Sequence, residues 1–284
     1  MRDALKNLAR IAADRFGASY LLGRGARRVR KLMPAVTLHS LNSDWDNVLV
    51  LAPHPDDEVF GACLLLGKLQ EQGKRVTIAY ATKGDAYSAD AGDRQKEAHI
   101  SAHRLGAQAV FLNLQDGQLQ NTPGLEDKVA ALVGQIQPQA IVLPWFGDYH
   151  PDHRALARAA IRRPFPQAQY LFYATFSPLW PSQEIKLSFL MGGEEKLLLA
   201  LEGYRASVNQ ETINAFLVLR RALAGAYINN STFWEPYLGI AGDRLERIGS
   251  LAGEWPRVYP TLQKSRHWRS FLQELSQLAS AFAE

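Results

Sequence analysis

Residues 47–61 read NVLVLAPHPDDEVFG, in which a run of apolar residues leads directly into a histidine, two aspartates and a glutamate. The apolar half, rich in valine and leucine, is typical of a buried strand. The proline and the acids that follow are typical of the first turn of a helix, where the helix dipole stabilises negative charge. The stretch therefore predicts a strand that runs straight into a helix, with His54, Asp56 and Asp57 at the junction.

Strand-like and helix-like segments alternate from residue 47 to residue 173. This alternation predicts an α/β fold, a Rossmann-like, doubly wound and mostly parallel sheet with helices on both faces. We expect a C-terminal α+β extension to pack on this sheet. The predicted strands are 47–52, 75–81, 109–112, 140–143, 170–173 and 185–190, and the predicted helices are 56–72, 94–105, 125–136, 152–161, 194–204, 210–224 and a last amphipathic helix that ends near Phe282.

We divide the chain of 284 residues into a basic amphipathic N-terminal extension, residues 1–44, and a single domain, residues 45–284. The formal net charge is +4, yet residues 1–31 alone hold nine lysines and arginines against two aspartates. Because the remainder is not basic, the composition argues against a nucleic-acid-binding protein. Residues 1–31 predict either a helix docked on the protein's own surface or a peripheral contact with anionic membrane.

We expect a cytoplasmic protein, which would lie at the inner face of the membrane if residues 1–31 bind lipid. Its one cysteine excludes an internal disulfide framework. No segment approaches the roughly 18 consecutive apolar residues of a membrane span. Charged residues also interrupt the first residues, where an export signal would need an apolar core. The sequence leaves the oligomeric state open.

A second polar cluster lies in the stretch LPWFGDYHPDHRA, residues 143–155. In a doubly wound sheet of strand order 3-2-1-4-5, the first and fourth strands are neighbours where the order reverses, and ligands bind beyond their carboxyl ends. Either cluster alone could be acids that cap a helix. Together they predict one cleft lined by His54, Asp56, Asp57, His150, Asp152 and His153.

Two histidines and one carboxylate form the ligand set of many hydrolytic zinc sites, since they leave coordination positions open for water and substrate. His54, Asp57 and His153 can supply this set. Asp56 then lies beside the metal and can accept a proton from water. We expect Zn²⁺, with Fe²⁺ or another divalent ion as the alternative.

The motifs PHPDDE and HPDHRA resemble those of the LmbE-like or PIG-L family of zinc-dependent N-deacetylases, and the resemblance extends over residues 47–160. It implies His54, Asp57 and His153 as metal ligands and Asp56 as general base. It further implies that His150 stabilises the oxyanion or protonates the leaving amine, and that Asp152 orients a histidine. The expected contacts with the substrate sugar are Arg94 and Asp116 by resemblance, with Trp145 and Tyr149 as aromatic residues that either stack on the sugar or fill the core.

The resemblance implies a hydrolase that removes the acetyl group from an N-acetylated amino sugar by attack of a zinc-bound water. Its substrate would be an N-acetylglucosaminyl-type glycan or glycolipid, such as a precursor of cell-envelope polysaccharide. Two alternatives stay open: an amidase that acts on a non-sugar or thiol-conjugate amide, and a non-catalytic glycan- or lipid-binding protein on the same scaffold. The chain departs from the family pattern at residues 204–210, YRASVNQ, where the family's Tyr-x-Ser-Gln signature is broken up.

Overall fold

The computed structural model describes residues 38–41, 43–85, 91–148, 150–175, 179, 186–210, 212–214, 216–217, 220 and 233–245. Within these residues the strands are β1 Leu38–Ser40, β2 Asn47–Ala52, β3 Arg75–Thr82, β4 Gln108–Leu114, β5 Ala140–Pro144, β6 Gln169–Tyr173, β7 Lys186–Met191 and β8 Trp234–Ala241. The α-helices are α1 Asp57–Glu71, α2 Ala91–Arg104, α3 Leu125–Ile136, α4 Pro151–Arg162 and α5 Glu195–Leu201.

The strands form one sheet in the order β1-β7-β8-β6-β5-β2-β3-β4. Strand β8 is antiparallel to both of its neighbours, and every other pair is parallel. The first five predicted strands are β2 to β6, and their order is the predicted one. Strand β2 therefore pairs with β5. The strands after β2 are added on one side of it up to β4, and then on its other side from β5 onwards. The prediction of a doubly wound, mostly parallel sheet is confirmed.

The two faces of the sheet are covered by different helices because side chains along a strand alternate between faces. On one face, Val48 and Val50 of β2 pack in a core with α1, α2 and α5. On the other face, Leu49 and Leu51 pack in a second core with α3 and α4. All four side chains are fully buried. A parallel strand buried on both faces reads as a continuous apolar run, as residues 48–52 do.

The predicted elements differ from the structure mainly at the ends of the chain. Strand β1 lies within the predicted extension, so the sheet begins before residue 45. Strand β8 was not predicted, because Pro236 and Gly239 are residues that strands disfavour. Residues 1–37, the last amphipathic helix and most of the helix 210–224 lie outside the described residues. Among the residues that are described, no helix is both long enough and apolar enough to cross a membrane.

Gly61 marks the place where α1 packs most closely against the sheet. A Cβ atom at this position would lie 2.6 Å from Cε2 and 2.7 Å from Cγ of Tyr173 in β6. The ring has little freedom to move, since it is buried and its hydroxyl donates to the carbonyl of Leu51 at 3.1 Å. We therefore expect Gly61→Ala to lower the free energy of unfolding by about 1–3 kcal/mol, as overpacked cores do. Urea unfolding monitored by circular dichroism measures the change.

Gly134→Ala in α3 is the matched control for this substitution. Gly134 is exposed, and among the described residues no atom outside its own helix backbone and chain neighbours would lie within 4 Å of an added Cβ. Alanine favours helices over glycine by about 1 kcal/mol. This variant should be as stable as the parent protein or slightly more stable. Equal stability of the Gly61 and Gly134 variants would contradict the packing argument.

Candidate metal centre

The two polar clusters meet at the carboxyl ends of β2 and β5. His54 follows β2 and lies in the turn before α1, while Asp57 opens that helix. His153 lies in the first turn of α4, which follows β5 after a short loop. Parallel neighbours bring their carboxyl ends to the same edge of a sheet, so residues almost 100 positions apart in the chain become neighbours. The convergence expected from the sequence is present.

One oxygen atom of Asp57 contacts both imidazole rings. Asp57 Oδ2 lies 3.1 Å from His54 Nδ1 and 3.2 Å from His153 Nε2. The same oxygen accepts the backbone N–H of His54 at 3.0 Å, which fixes the turn. Burial alone would raise the pKa of Asp57, but the charge of His153 and hydrogen bonds from both histidines hold it well below its usual range. The carboxylate of one predicted ligand thus contacts one ring nitrogen of each of the other two.

The far side of the His54 ring faces two further carboxylates. His54 Nε2 lies 3.2 Å from Asp152 Oδ2 and 3.1 Å from Asp116 Oδ1. Asp152 is fully buried, and its carboxylate also accepts the backbone N–H groups of Gly117 and Leu119 at 2.8 and 3.0 Å. An anchored carboxylate of this kind fixes the orientation of a histidine so that its other nitrogen can bind a metal. The geometry fits the predicted role of Asp152.

Asp148 lies beside the ring of His153, as Asp152 lies beside the ring of His54. The sequence pattern did not predict this role for Asp148. Its Oδ2 lies 3.5 Å from His153 Nδ1, and its Oδ1 accepts the backbone N–H of His150 at 2.8 Å. Asp148 is buried. Its position in the stretch GDYHPDH was the available signal, since a carboxylate close to a metal-binding histidine often orients that ring.

The charges of this site suit a divalent cation. Burial lowers the pKa of His153, but the carboxylates of Asp57 and Asp148 raise it to about 10. The pKa of His54 is likewise raised well above its usual value: burial opposes this, and the hydrogen bonds with Asp116, Asp152 and Asp57 outweigh burial. Nitrogen and carboxylate donors surrounded by excess negative charge match the ligand chemistry of zinc. The residues present therefore fit the metal.

Among the described residues, two sets of three side chains bring one donor atom each within 4.8 Å of one another. They are His54 with His150 and His153, and His54 with Asp116 and Asp152. His150 occupies the N-cap position of α4, and its ring centroid is 4.9 Å from that of His54 and 4.9 Å from that of His153. Burial and the positive charge of His153 lower the pKa of His150. A neutral imidazole beside the cluster can either donate a hydrogen bond to substrate or bind metal.

Asp56 points to a different partner from its neighbour Asp57. Its Oδ2 accepts a hydrogen bond from Arg94 Nη2 at 2.8 Å, and Arg94 also donates to the carbonyl of Pro55. Burial and the negative charge of Asp57 raise the pKa of Asp56 to about 7, against the effect of Arg94. Its side chain still reaches solvent, with 22% of its surface exposed. The two adjacent aspartates thus occupy distinct environments.

Of the residues predicted to contact the sugar, two adjoin the metal centre and one is buried in the core. Arg94 contacts Asp56, and Asp116 contacts His54, so both adjoin the centre. Trp145 is only 1% exposed and packs against Phe146 and Phe172, with ring centroids 3.9 and 5.9 Å away. Of the two expected placements of Trp145, the structure has the ring in the core, where it is not exposed for stacking on a sugar. Tyr149 lies outside the described residues.

Comparisons with known proteins agree with the motifs. Residues 49–163 match the family model PIG-L, described as GlcNAc-PI de-N-acetylase. A probable N-acetyl-alpha-D-glucosaminyl L-malate deacetylase 2 of Bacillus cereus is 31% identical over 133 residues, which are 41% of this chain and 60% of that protein. The chain thus spans less than two thirds of the curated relatives that it matches.

Solved structures share the fold. A conserved protein from Thermus thermophilus aligns with a TM-score of 0.57 at 26% identity, over 69% of this chain and 95% of that one. The N,N'-diacetylchitobiose deacetylase of Pyrococcus horikoshii aligns with a TM-score of 0.59 at 22% identity, over 71% and 86%. The matched residues 49–163 contain both polar clusters and every described residue of the metal centre. Through this segment, the chain is similar to the PIG-L, or LmbE-like, family.

Proposed function

We propose that this protein is a zinc-dependent N-deacetylase that hydrolyses the acetamide of an N-acetylated amino sugar. The observation that carries the proposal is the single Asp57 oxygen in contact with His54 and His153, with Asp56 directly beside it in the chain. The names of its relatives support the substrate class, since they include deacetylases of N-acetylglucosaminyl malate and of diacetylchitobiose. We take an N-acetylglucosaminyl compound as the substrate.

His54, Asp57 and His153 would hold the metal, and Asp152 and Asp148 would orient the two rings. A zinc ion bound there lowers the pKa of water towards neutrality and polarises the acyl carbonyl. Asp56 accepts a proton from the attacking water, and the Arg94 guanidinium keeps its carboxylate in place. A base whose pKa lies near neutrality is matched to this task.

His150 can assist the acyl oxygen or the leaving amine. It lies within reach of the same centre and is held at the start of α4 by its backbone bond to Asp148. In the neutral state, one ring nitrogen can donate to the oxygen on which negative charge develops, and a protonated ring can supply the proton that the leaving amine needs. These groups together complete the requirements of amide hydrolysis: a nucleophile, a base, and a partner for the oxyanion or the amine.

We expect His150→Ala to lower kcat by on the order of 10²-fold, as the loss of an oxyanion partner does. The metal content should stay unchanged, since the three ligands are intact. Elemental analysis and steady-state kinetics on the same preparation measure both quantities. His103→Ala, which removes an exposed histidine from α2, is the control and should leave both unchanged. If His150→Ala instead loses its metal, His150 is a ligand.

The function itself is tested by mass spectrometry with a panel of amides. The panel contains N-acetylglucosamine, N-acetylglucosaminyl malate, diacetylchitobiose, and an N-acetylated thiol conjugate without a sugar. Loss of one acetyl group from the sugars alone supports the proposal. Turnover of the thiol conjugate alone would identify an amidase of another class. Binding of a sugar without any turnover, in protein loaded with zinc, would identify a non-catalytic binding protein.

A further inference from the structure

Glu58, the last acid of the motif HPDDE, is fully buried and accepts hydrogen bonds with both carboxylate oxygens. Oε1 accepts the hydroxyls of Tyr204 and Ser101 at 2.7 and 3.1 Å. Oε2 accepts the backbone N–H of Asp56 at 3.0 Å. The hydroxyl donors come from α2 and from the 3-10 turn Glu202–Tyr204. Glu58 therefore connects the peptide of Asp56 to two separate parts of the fold.

The backbone of Asp56 needs such support because it adopts a conformation that aspartate rarely takes. Its φ of 99° and ψ of −24° lie in the left-handed region, which costs a residue with a Cβ atom free energy. The bond to Glu58 holds the N–H side of this residue. On the other side, the Asp56 carbonyl accepts the N–H groups of Val59 and Phe60, both at 3.0 Å. The bonds to the Asp56 carbonyl come from the backbone of the helix itself, whereas the bond to the Asp56 N–H depends on the Glu58 side chain.

We infer that Glu58 is a positioning residue that holds Asp56 in the conformation in which it acts as the base. This inference rests on the proposed function. Without the Glu58 carboxylate, the N–H of Asp56 loses its acceptor and the residue can relax towards an ordinary φ. Rotation of the Asp56 backbone would move its carboxylate away from the place set by Arg94. A displacement of about 1 Å in a reacting group can cost on the order of 10² in rate.

The C-terminal part of the chain takes part in this support through Tyr204. This residue opens the stretch YRASVNQ and lies outside the matched residues 49–163. Gly203 lets the turn approach α2 closely, since a Cβ there would lie 3.1 Å from the backbone nitrogen of Ser101. Glu97 of α2 holds the same turn by accepting the hydroxyl of Ser207 at 2.6 Å. The turn thus has a fixed place from which Tyr204 reaches Glu58.

Two substitutions of Glu58 separate positioning from general support of the fold. Glu58→Gln keeps an oxygen that can accept the Asp56 N–H, while its amide can donate to the two hydroxyls, which also accept. We expect kcat for this variant to stay within about threefold of the parent value. Glu58→Ala removes the acceptor, and kcat per bound zinc should fall on the order of 10²-fold with KM little changed.

Glu97→Ala is the matched control, because it also deletes a carboxylate that anchors the turn after Tyr204 but does not contact Asp56. It should lower the melting temperature without lowering kcat per bound zinc. A direct readout that needs neither metal nor substrate is the amide proton shift of Asp56 in metal-free protein. This signal should move upfield in Glu58→Ala, where the hydrogen bond is lost, and stay in place in Glu58→Gln and Glu97→Ala.

The outcomes distinguish this inference from the proposed function. If Asp56→Asn abolishes turnover but Glu58→Ala keeps parental kcat and an unmoved Asp56 amide signal, positioning by Glu58 is overturned and the proposed function stands. If the zinc-loaded parent protein deacetylates no sugar of the panel, the proposed function itself fails, whereas full turnover by Asp56→Asn would reject Asp56 as the base and, with it, the positioning of that base by Glu58. If Glu58→Gln loses as much kcat as Glu58→Ala, restoring the acceptor is insufficient, and the positioning inference is again overturned.

Discussion

Asp57→Ala is expected to lose most of its bound zinc and, with it, essentially all deacetylase activity. Asp57 Oδ2 is the one atom in contact with both His54 Nδ1 and His153 Nε2 among the described residues, so the substitution removes the centre of the ligand set. Removal of one ligand of three leaves two imidazoles, which bind zinc far more weakly at neutral pH. Elemental analysis of the purified variant, beside an activity assay, measures the effect.

Asp127→Ala provides the matched control for the loss of metal. Asp127 is also an aspartate in the first turn of a helix, α3, but it is exposed and pairs with Arg163 on the surface. This variant should bind about one zinc ion per chain, as we expect of the parent protein. Treatment of the parent with a chelator should abolish turnover, and added zinc should restore it. Full metal content in Asp57→Ala would reject Asp57 as a ligand.

Asp56→Asn is expected to keep its zinc and still lose roughly 10²- to 10⁴-fold in kcat. The amide has nearly the shape of the carboxylate, and its oxygen can still accept the hydrogen bond from Arg94. It has no basicity at neutral pH, so it cannot take the proton of water. Metal content, KM and kcat measured on one preparation separate this effect from a loss of binding.

Asp56→Asn and Asp57→Ala should therefore resemble each other in rate and differ in metal content. Consecutive residues at a helix start point about 100° apart, and the structure turns one towards Arg94 and the other towards the histidines. Asp44→Asn serves as the control for an amide in place of an exposed aspartate, and it should keep both metal and turnover. A metal-free or fully active Asp56→Asn would contradict its role as base.

The sequence predicts the elements that hold the site better than those at the ends of the chain. The bounds of β2 and α3 match residues 47–52 and 125–136, because a continuous apolar run and a helical repeat are strong patterns. Strand β1 has three residues and no repeat, so it carries no such signal. In β8 the pairing partners β6 and β7 override the poor strand propensity of Pro236 and Gly239.

Within the site, the chemistry of the residues was easier to predict than their burial. His54, Asp57 and His153 could be grouped from motifs and strand order alone. Trp145 could not be placed, since an aromatic residue after a strand faces solvent or core depending on rings such as Phe172 that are distant in the sequence. Asp148 was missed because its relation to His153 depends on the path of the loop before α4. Tertiary packing decides both cases.

The position of β8 in the sheet has a consequence for the order in which the chain can fold during synthesis. Strands β2 to β6 are consecutive in the chain and pair among themselves. Strands β1 and β7, however, join this group only through β8, which emerges from the ribosome after residue 233. Until then, β6 presents an open edge that can pair with another nascent chain. We therefore expect polypeptides that stop before β8 to aggregate through this edge, even though every described residue of the metal centre has already been made.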